Sequence, residues 1–166
     1  AGTNNRAPDS CVSYNYADNS WTIGTLDRNV WNDSAGHRLV PFAFDSTGEL
    51  YNHETGTSDD GGNMSCFIET SDLELSDSGS NLYMVDKIVP DTKMTADTTL
   101  SVELKTRKYP QDTETTKGPF TITQNTGKVS TRARGRQVAV KFSSSGSTDD
   151  WQLGDFRINT REDGIR

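Results

Sequence analysis

The chain has 166 residues, 31% of them hydrophobic, and a formal net charge of −7. That length allows one ordinary domain or two small ones. The acidic balance disfavours nonspecific binding to nucleic acid or to an anionic membrane. No apolar run approaches the roughly 18 residues of a membrane span, and no signal peptide is visible, so no membrane span is expected. The first residue is Ala rather than Met, which fits a processed chain or a piece of something longer.

Gly, Ser, Thr, Asp and Asn are abundant, and short alternating runs lie between turn residues. This pattern argues for an all-β protein, and no long stretch of 3.6 periodicity points to a substantial helix. Residues 1–10 look like an irregular lead-in. V-S-Y-N-Y, A-D-N-S and W-T-I-G-T-L then predict a hairpin starting at Val12. A second hairpin follows in L-V-P-F-A-F, D-S-T-G and E-L-Y-N-H. Two successive hairpins with aromatic residues at each strand entry are the makings of one four-stranded propeller blade. A lone blade cannot bury both its faces, so residues 11–56 would need neighbouring blades.

The turn-rich stretch T-S-D-D-G-G-N, residues 57–63, marks the expected boundary and divides the chain into 1–62 and 63–166. Beyond it, strands are expected at 64–70, 82–89, 100–107, 119–123, 137–142 and 151–160. Leu100, Val102 and Leu104 point one way while Ser101, Glu103 and Lys105 point the other. Six short strands at this spacing fit an immunoglobulin-like β-sandwich, and the polar connection from Lys108 to Gly118 reads as an exposed loop. The last two strands read as a hairpin, with 143–150 as the loop. On the return strand Trp151 and Leu153 differ in parity from Phe156 and Ile158, so a β-bulge at Gly154 is expected, with φ > 0.

Chemistry is poorly signalled. The histidines, His37 and His53, sit in no motif that would poise a nucleophile. Asp59-Asp60 and Asp149-Asp150 lie in Gly/Ser loops, where carboxylates act as turn formers, and D-D-G-G-N lacks the spacing of a calcium loop. Cys11 and Cys66 have no metal or redox spacing and read as small, reduced, partly buried residues. No catalytic residue, metal ligand or cofactor is therefore expected.

The arginines carry the sharper signal. Residues 128–166 hold eight Lys/Arg and five Asp/Glu, which leaves nine basic and nineteen acidic residues for 1–127. Arg132, Arg134 and Arg136 recur at every second position and share parity with Val138, Val140 and Phe142. An unbroken strand would aim them at the core, so either Gly135 breaks the register or the strand overshoots the rim to meet another subunit. The overshoot is the preferred expectation. Arg favours bidentate pairing at interfaces, which makes Arg132, Arg134 and Arg136, with Arg157 and Arg161, candidate subunit-interface residues. A nucleic-acid patch and a solvated face are the competing readings.

R-A-R-G-R-Q-V-A-V-K-F and W-Q-L-G-D-F-R-I-N-T-R-E-D-G-I-R together resemble the C-terminal signature of tail nozzle, or packaged-DNA stabilisation, proteins of short-tailed bacteriophages. W-T-I-G-T-L-D-R-N-V-W and P-F-A-F-D-S-T-G-E-L-Y-N-H-E-T-G resemble the closing propeller blade of the same family. The resemblance implies a virion structural protein without enzymatic activity, assembled as a homo-oligomeric ring, commonly a hexamer. Its implied partners are other tail or adaptor proteins, with packaged DNA passing through the channel without specific binding. The alternative, from a different class, is a secreted or cell-surface β-sandwich module that binds carbohydrate on Trp21, Trp31 or Trp151.

Overall fold

The computed structural model describes residues 10–34, 36–75 and 81–164; the expected lead-in up to residue 9 and the final Ile165-Arg166 of the family-like signature lie outside them. Strands are the regular secondary structure of the described residues, and they form open antiparallel sheets. The chain divides into two compact units, Ala1–Gly56 and Thr57–Arg166. The turn-rich stretch from Thr57 therefore goes with the second unit, where Thr57 Oγ1 donates to the carbonyl of Ser147 at 3.1 Å.

In the first unit, β1 (Ser10–Asn15) and β2 (Ser20–Thr25) form the first expected hairpin. Register puts Val12 opposite Ile23 and Tyr14 opposite Trp21, which collects four large side chains on one face. All four are exposed, and the Tyr14 and Trp21 rings lie 4.5 Å apart. β4 (Phe42–Phe44) and β5 (Leu50–Asn52) form the second hairpin, and β3 (Val30–Asn32) adds to it on the β4 side. Asp45 nucleates its turn, accepting through Oδ1 from the backbone N–H groups of Thr47 and Glu49. The hairpins belong to separate sheets of two and three strands, so no four-stranded blade forms within these residues.

The second unit is held by two sheets with one core between them. The larger has the order β11 (Thr115–Ile122), β10 (Leu100–Arg107), β13 (Gln137–Ser144) and β6 (Cys66–Glu69), with β7 (Leu73–Glu74) also paired to β13. The smaller places β8 (Tyr83–Val89) between β12 (Val129–Gly135) and β15 (Arg157–Glu162). A short pair, β9 (Thr92–Met94) with β14 (Trp151–Leu153), stands beside them. Leu100, Val102, Leu104, Val138, Val140 and Phe142 point inward from the large sheet and meet Val85, Ile88, Val129 and Ala133 of the small one. Both sets are fully or almost fully buried. The alternation predicted for residues 100–107 holds at every position.

Residues 137–160 do not form a hairpin. β13 pairs with β10, β6 and β7, while β14 pairs with β9 and β15 with β8. Residues 145–156, with β14 on the way, thus carry the chain from the large sheet to the small one. Phe142 and Phe156 meet in the core with their rings tilted at 56° and their centroids 5.3 Å apart. An arch and a hairpin demand the same inward alternation, so the pattern alone could not separate them.

The parity slip is real, but it is produced differently from the bulge expected. Trp151, Leu153, Phe156 and Ile158 all pack against the core. The strand breaks after Leu153, and the Gly154 N–H donates to the Asp91 carbonyl at 2.7 Å as the chain changes partner from β9 to β8. Gly154 does not occupy the left-handed region, so the strain expected there does not arise. Bulges occur elsewhere: at Asp86 opposite Asn159-Thr160, in β12 between Ser130 and Ala133, and at Gly118-Pro119 opposite Val102-Leu104. The last lies at what was expected to be a loop end. The strand begins at Thr115 because its backbone finds the free edge of β10.

The Gly118 bulge has φ +115°, and a Cβ there would stand 2.7 Å from the Val102 carbonyl oxygen. Gly118→Ala is expected to lower stability by about 1–3 kcal/mol, read from the denaturant midpoint. An unchanged midpoint would mean that the bulge relaxes without cost.

Candidate functional site

The arginines are placed by the turn at Gly135. Val129, Ala133 and Gly135 of β12 face inward, so Arg132 and Arg134 face solvent. At Gly135 the backbone passes close enough to β10 that a Cβ would meet the Arg107 carbonyl oxygen and the Thr106 Cβ, each at 2.9 Å. The chain then enters the other sheet with its parity reset, and Val138 points inward. The register break at Gly135 therefore keeps the guanidinium groups out of the core, and the overshooting strand that was expected does not occur.

On the small sheet, register aligns Arg134, Met84 and Arg161 in one cross-strand row. A second outward row holds Ser130, Lys87 and Asn159, and Arg157 pairs with Val89 at the end of the sheet. Their neighbours Val129, Val85, Ile88 and Ala133 take the inward places. Four of the five candidates, Arg132, Arg134, Arg157 and Arg161, thus share the outer face of a three-stranded sheet. Strands lie about 4.8 Å apart, so Arg134 and Arg161 stand about 10 Å from each other across Met84. Arg136 is excluded from this face. It follows the turn, and its guanidinium lies 5.0 Å from the Tyr109 ring centroid.

Electrostatically the two outer faces differ. On the large sheet, Glu69, Lys141 and Glu103 alternate along one row, and Lys105 pairs with Glu69 at 2.5 Å. Hydrogen bonding to Glu69 is the largest cause holding the Lys105 ammonium above the usual lysine range, and burial opposes it. Arg107 bonds Asp72 at 2.7 Å and also pairs with Glu114. That face ties Lys105 and Arg107 to its own carboxylates. On the small sheet Arg134 pairs with Asp163, whose carboxylate lies 2.5 Å from Nε. The side chains of Arg132, Arg157 and Arg161 make no hydrogen bond or ion pair among the described residues. Lys87 adds a further cation, and Asp86 is turned to Asn159 Nδ2 at 2.7 Å.

Lys87 and Met84 were not among the sequence candidates. Their membership follows from β8 lying between β12 and β15, and long-range pairing of that kind leaves no local pattern.

The remaining candidates are used structurally. Asp149 Oδ2 accepts from the Gly146 N–H at 2.6 Å, and Asp59 pairs with Gly62 across a tight turn. Trp151 is half-buried on the core, with Nε1 donating to Ser144 Oγ at 3.0 Å. Cys66 is exposed rather than partly buried, with Sγ 3.1 Å from Ser144 Oγ, and Cys11 is half-buried. The His53 ring lies 4.5 Å from Trp31, and its Nε2 accepts from Arg28 Nε at 3.2 Å. Among the described residues no group of three or more His, Cys, Asp and Glu side chains could hold a metal ion. No protein-family model matches the chain, and no curated protein matches it either.

Two outcomes are expected from this geometry. Replacing Arg132, Arg157 and Arg161 together by Ser should shift the stability of the isolated chain by less than about 0.5 kcal/mol per site, and Arg134→Ala by under about 1 kcal/mol. A larger loss in chemical denaturation would show that the face is structural. Burial first, and then the nearby Arg28, hold the His53 imidazole below the ordinary histidine range, with Glu54 pulling the other way. An unfolded chain then takes up this proton more readily, so stability falls as pH drops through about 6.5 and is complete above it. His53→Asn should flatten that dependence. A His53 titration midpoint by NMR at or above the ordinary value would reverse the sign.

Proposed function

We propose that the chain is a structural, non-enzymatic part of a short-tailed phage tail nozzle, working in a closed ring of identical copies, commonly a hexamer. In this reading residues 63–166 are an immunoglobulin-like sandwich and the first unit is part of a closing propeller blade. Other tail or adaptor proteins flank the ring, and packaged DNA is retained in the channel and released without specific binding. The setting is the virion, assembled in the host cytoplasm. The family assignment rests on the resemblance carried by R-G-R-Q, W-x-L-G-x-x-R and D-G-x-R.

The observation that carries the assembly reading is the outer face of β12, β8 and β15. Three arginines stand there with no ion pair or hydrogen bond among the described residues, while the opposite outer face pairs Lys105 with Glu69 and Arg107 with Asp72 and Glu114. Arg presents a planar donor fork that finds its full strength against a desolvated carboxylate. A body with nineteen acidic residues before position 128 can supply such partners from a second copy. Head-to-tail contacts of this type close into rings. The exposed apolar faces of the first unit, with Val12, Tyr14, Trp21 and Ile23 uncovered, also fit a part of a larger assembly.

A carbohydrate-binding module is the second reading, favoured by the exposed Tyr14–Trp21 pair and by Trp31. Trp151 leaves that list because it packs on the core.

Light scattering of the full chain at low salt is expected to give a multimer that dissociates as salt rises. Substituting Arg132, Arg134, Arg157 and Arg161 by Glu should yield a folded monomer. Desolvated charge pairs lose about 2–5 kcal/mol each on truncation, enough to prevent assembly at micromolar concentration. A wild-type chain that stays monomeric at every concentration and salt overturns the reading.

A further inference from the structure

The large sheet carries a second built feature on its outer face, unrelated to the arginines. Phe67 lies opposite Ser143, Ser143 opposite Ser101, and Ser101 opposite Thr121. One cross-strand row therefore runs from an aromatic ring over three hydroxyl side chains, about 14 Å from end to end. Phe67 is 64% exposed, and its neighbour Ile68, in register with Phe142 on the other face of β6, is exposed as well. The Ser101, Ser143 and Thr121 hydroxyls make no hydrogen bond among the described residues. Part of this row, with Thr99, Lys141 and Asp149, lines a shallow depression of about 370 Å³. That volume lies within the range of small-ligand sites and suits one or two sugar rings.

The charges around it select the ligand. The Lys141 ammonium stands 4.9 Å from the Phe67 centroid, and its cross-strand neighbours on either side are Glu69 and Glu103. Asp149 closes the far wall. An anion meets the Asp149 carboxylate there and a cation meets Lys141, while Glu69 is already tied to Lys105. A neutral ligand with many hydroxyls and one apolar face meets both donors and acceptors, and it can lie flat on an aromatic ring. We infer that this trough binds a neutral saccharide, one pyranose ring stacking on Phe67 and its neighbours bonding the Ser143 and Ser101 hydroxyls. Lys141 swings from the ring face to donate to a sugar hydroxyl. The inference goes beyond tail assembly and uses none of the residues of the arginine face.

The test is titration of the full chain with neutral hexasaccharides of glucose, mannose, xylose and N-acetylglucosamine, followed by NMR of the Phe67 ring. At least one is expected to shift that ring saturably below about 10 mM, and Phe67→Ala should weaken binding at least about tenfold while Phe67→Trp retains it. Ser101→Val with Ser143→Val should weaken it while leaving the unfolding midpoint unchanged. No shift with any sugar overturns the proposal. Binding that survives Phe67→Ala also overturns it and moves the site to the Tyr14–Trp21 hairpin. So does a response of the Cys66–Glu69 amides to an extended peptide alone, which would make β6 a strand-pairing edge. Loss of assembly in the arginine variant leaves this result untouched, so the two readings fail separately.

Discussion

Everything in the second unit depends on two inward-facing ranks closing over one another. Val102, Leu104, Val138, Val140 and Phe142 from one sheet meet Val85, Ile88, Val129 and Ala133 from the other, with Met94, Trp151, Leu153 and Phe156 packed at the margin. Burial of each large aliphatic side chain stabilises by about 1.5–3 kcal/mol, so a few such residues suffice for a unit this small even in a chain with 31% hydrophobic residues. The same closure dictates what lies outside. Because strand side chains alternate, burying Val129 and Ala133 exposes Arg132 and Arg134, and burying Phe142 and Val102 exposes Ser143 and Ser101. Both outer faces are thus set by the core between them.

The first unit shows the opposite condition. Its sheets have two and three strands, and Ala43 is fully buried while Val12, Trp21 and Ile23 remain open. Its turns are nonetheless well formed, since Asp45 and its neighbours satisfy their own hydrogen bonds locally. Local turn chemistry is sufficient to make hairpins, but it does not supply a second layer.

That division also explains what was legible. Alternation identified Leu100–Arg107, and the inward set Trp151, Leu153, Phe156 and Ile158, because period and burial are local properties of a strand. Partner identity is not local. β13 and β15 looked like neighbours because they are adjacent in sequence with a loop between them, yet each pairs with strands from far upstream. The arginine series was visible as a series. Its separation into Arg132 and Arg134 on one face and Arg136 beside Tyr109 turned on one glycine passing close to Arg107 and Thr106. The hydroxyl row from Phe67 to Thr121 joins four strands and so had no trace in any single segment.

The unequal treatment of charge on the two outer faces has a further consequence. One face carries Arg132, Arg134, Arg157, Arg161 and Lys87, and the other balances Glu69, Glu103, Asp72 and Glu114 against Lys105, Arg107 and Lys141. Asp163, paired with Arg134, and Asp86 offset the first face only in part, so it stays net positive while the second is near balance. In solution such a body turns before it touches, presenting its positive side to any acidic surface within a Debye length of about 8–10 Å. In the proposed ring, the arginine face would set the orientation and speed of encounter, independently of how tightly the surfaces hold once they meet.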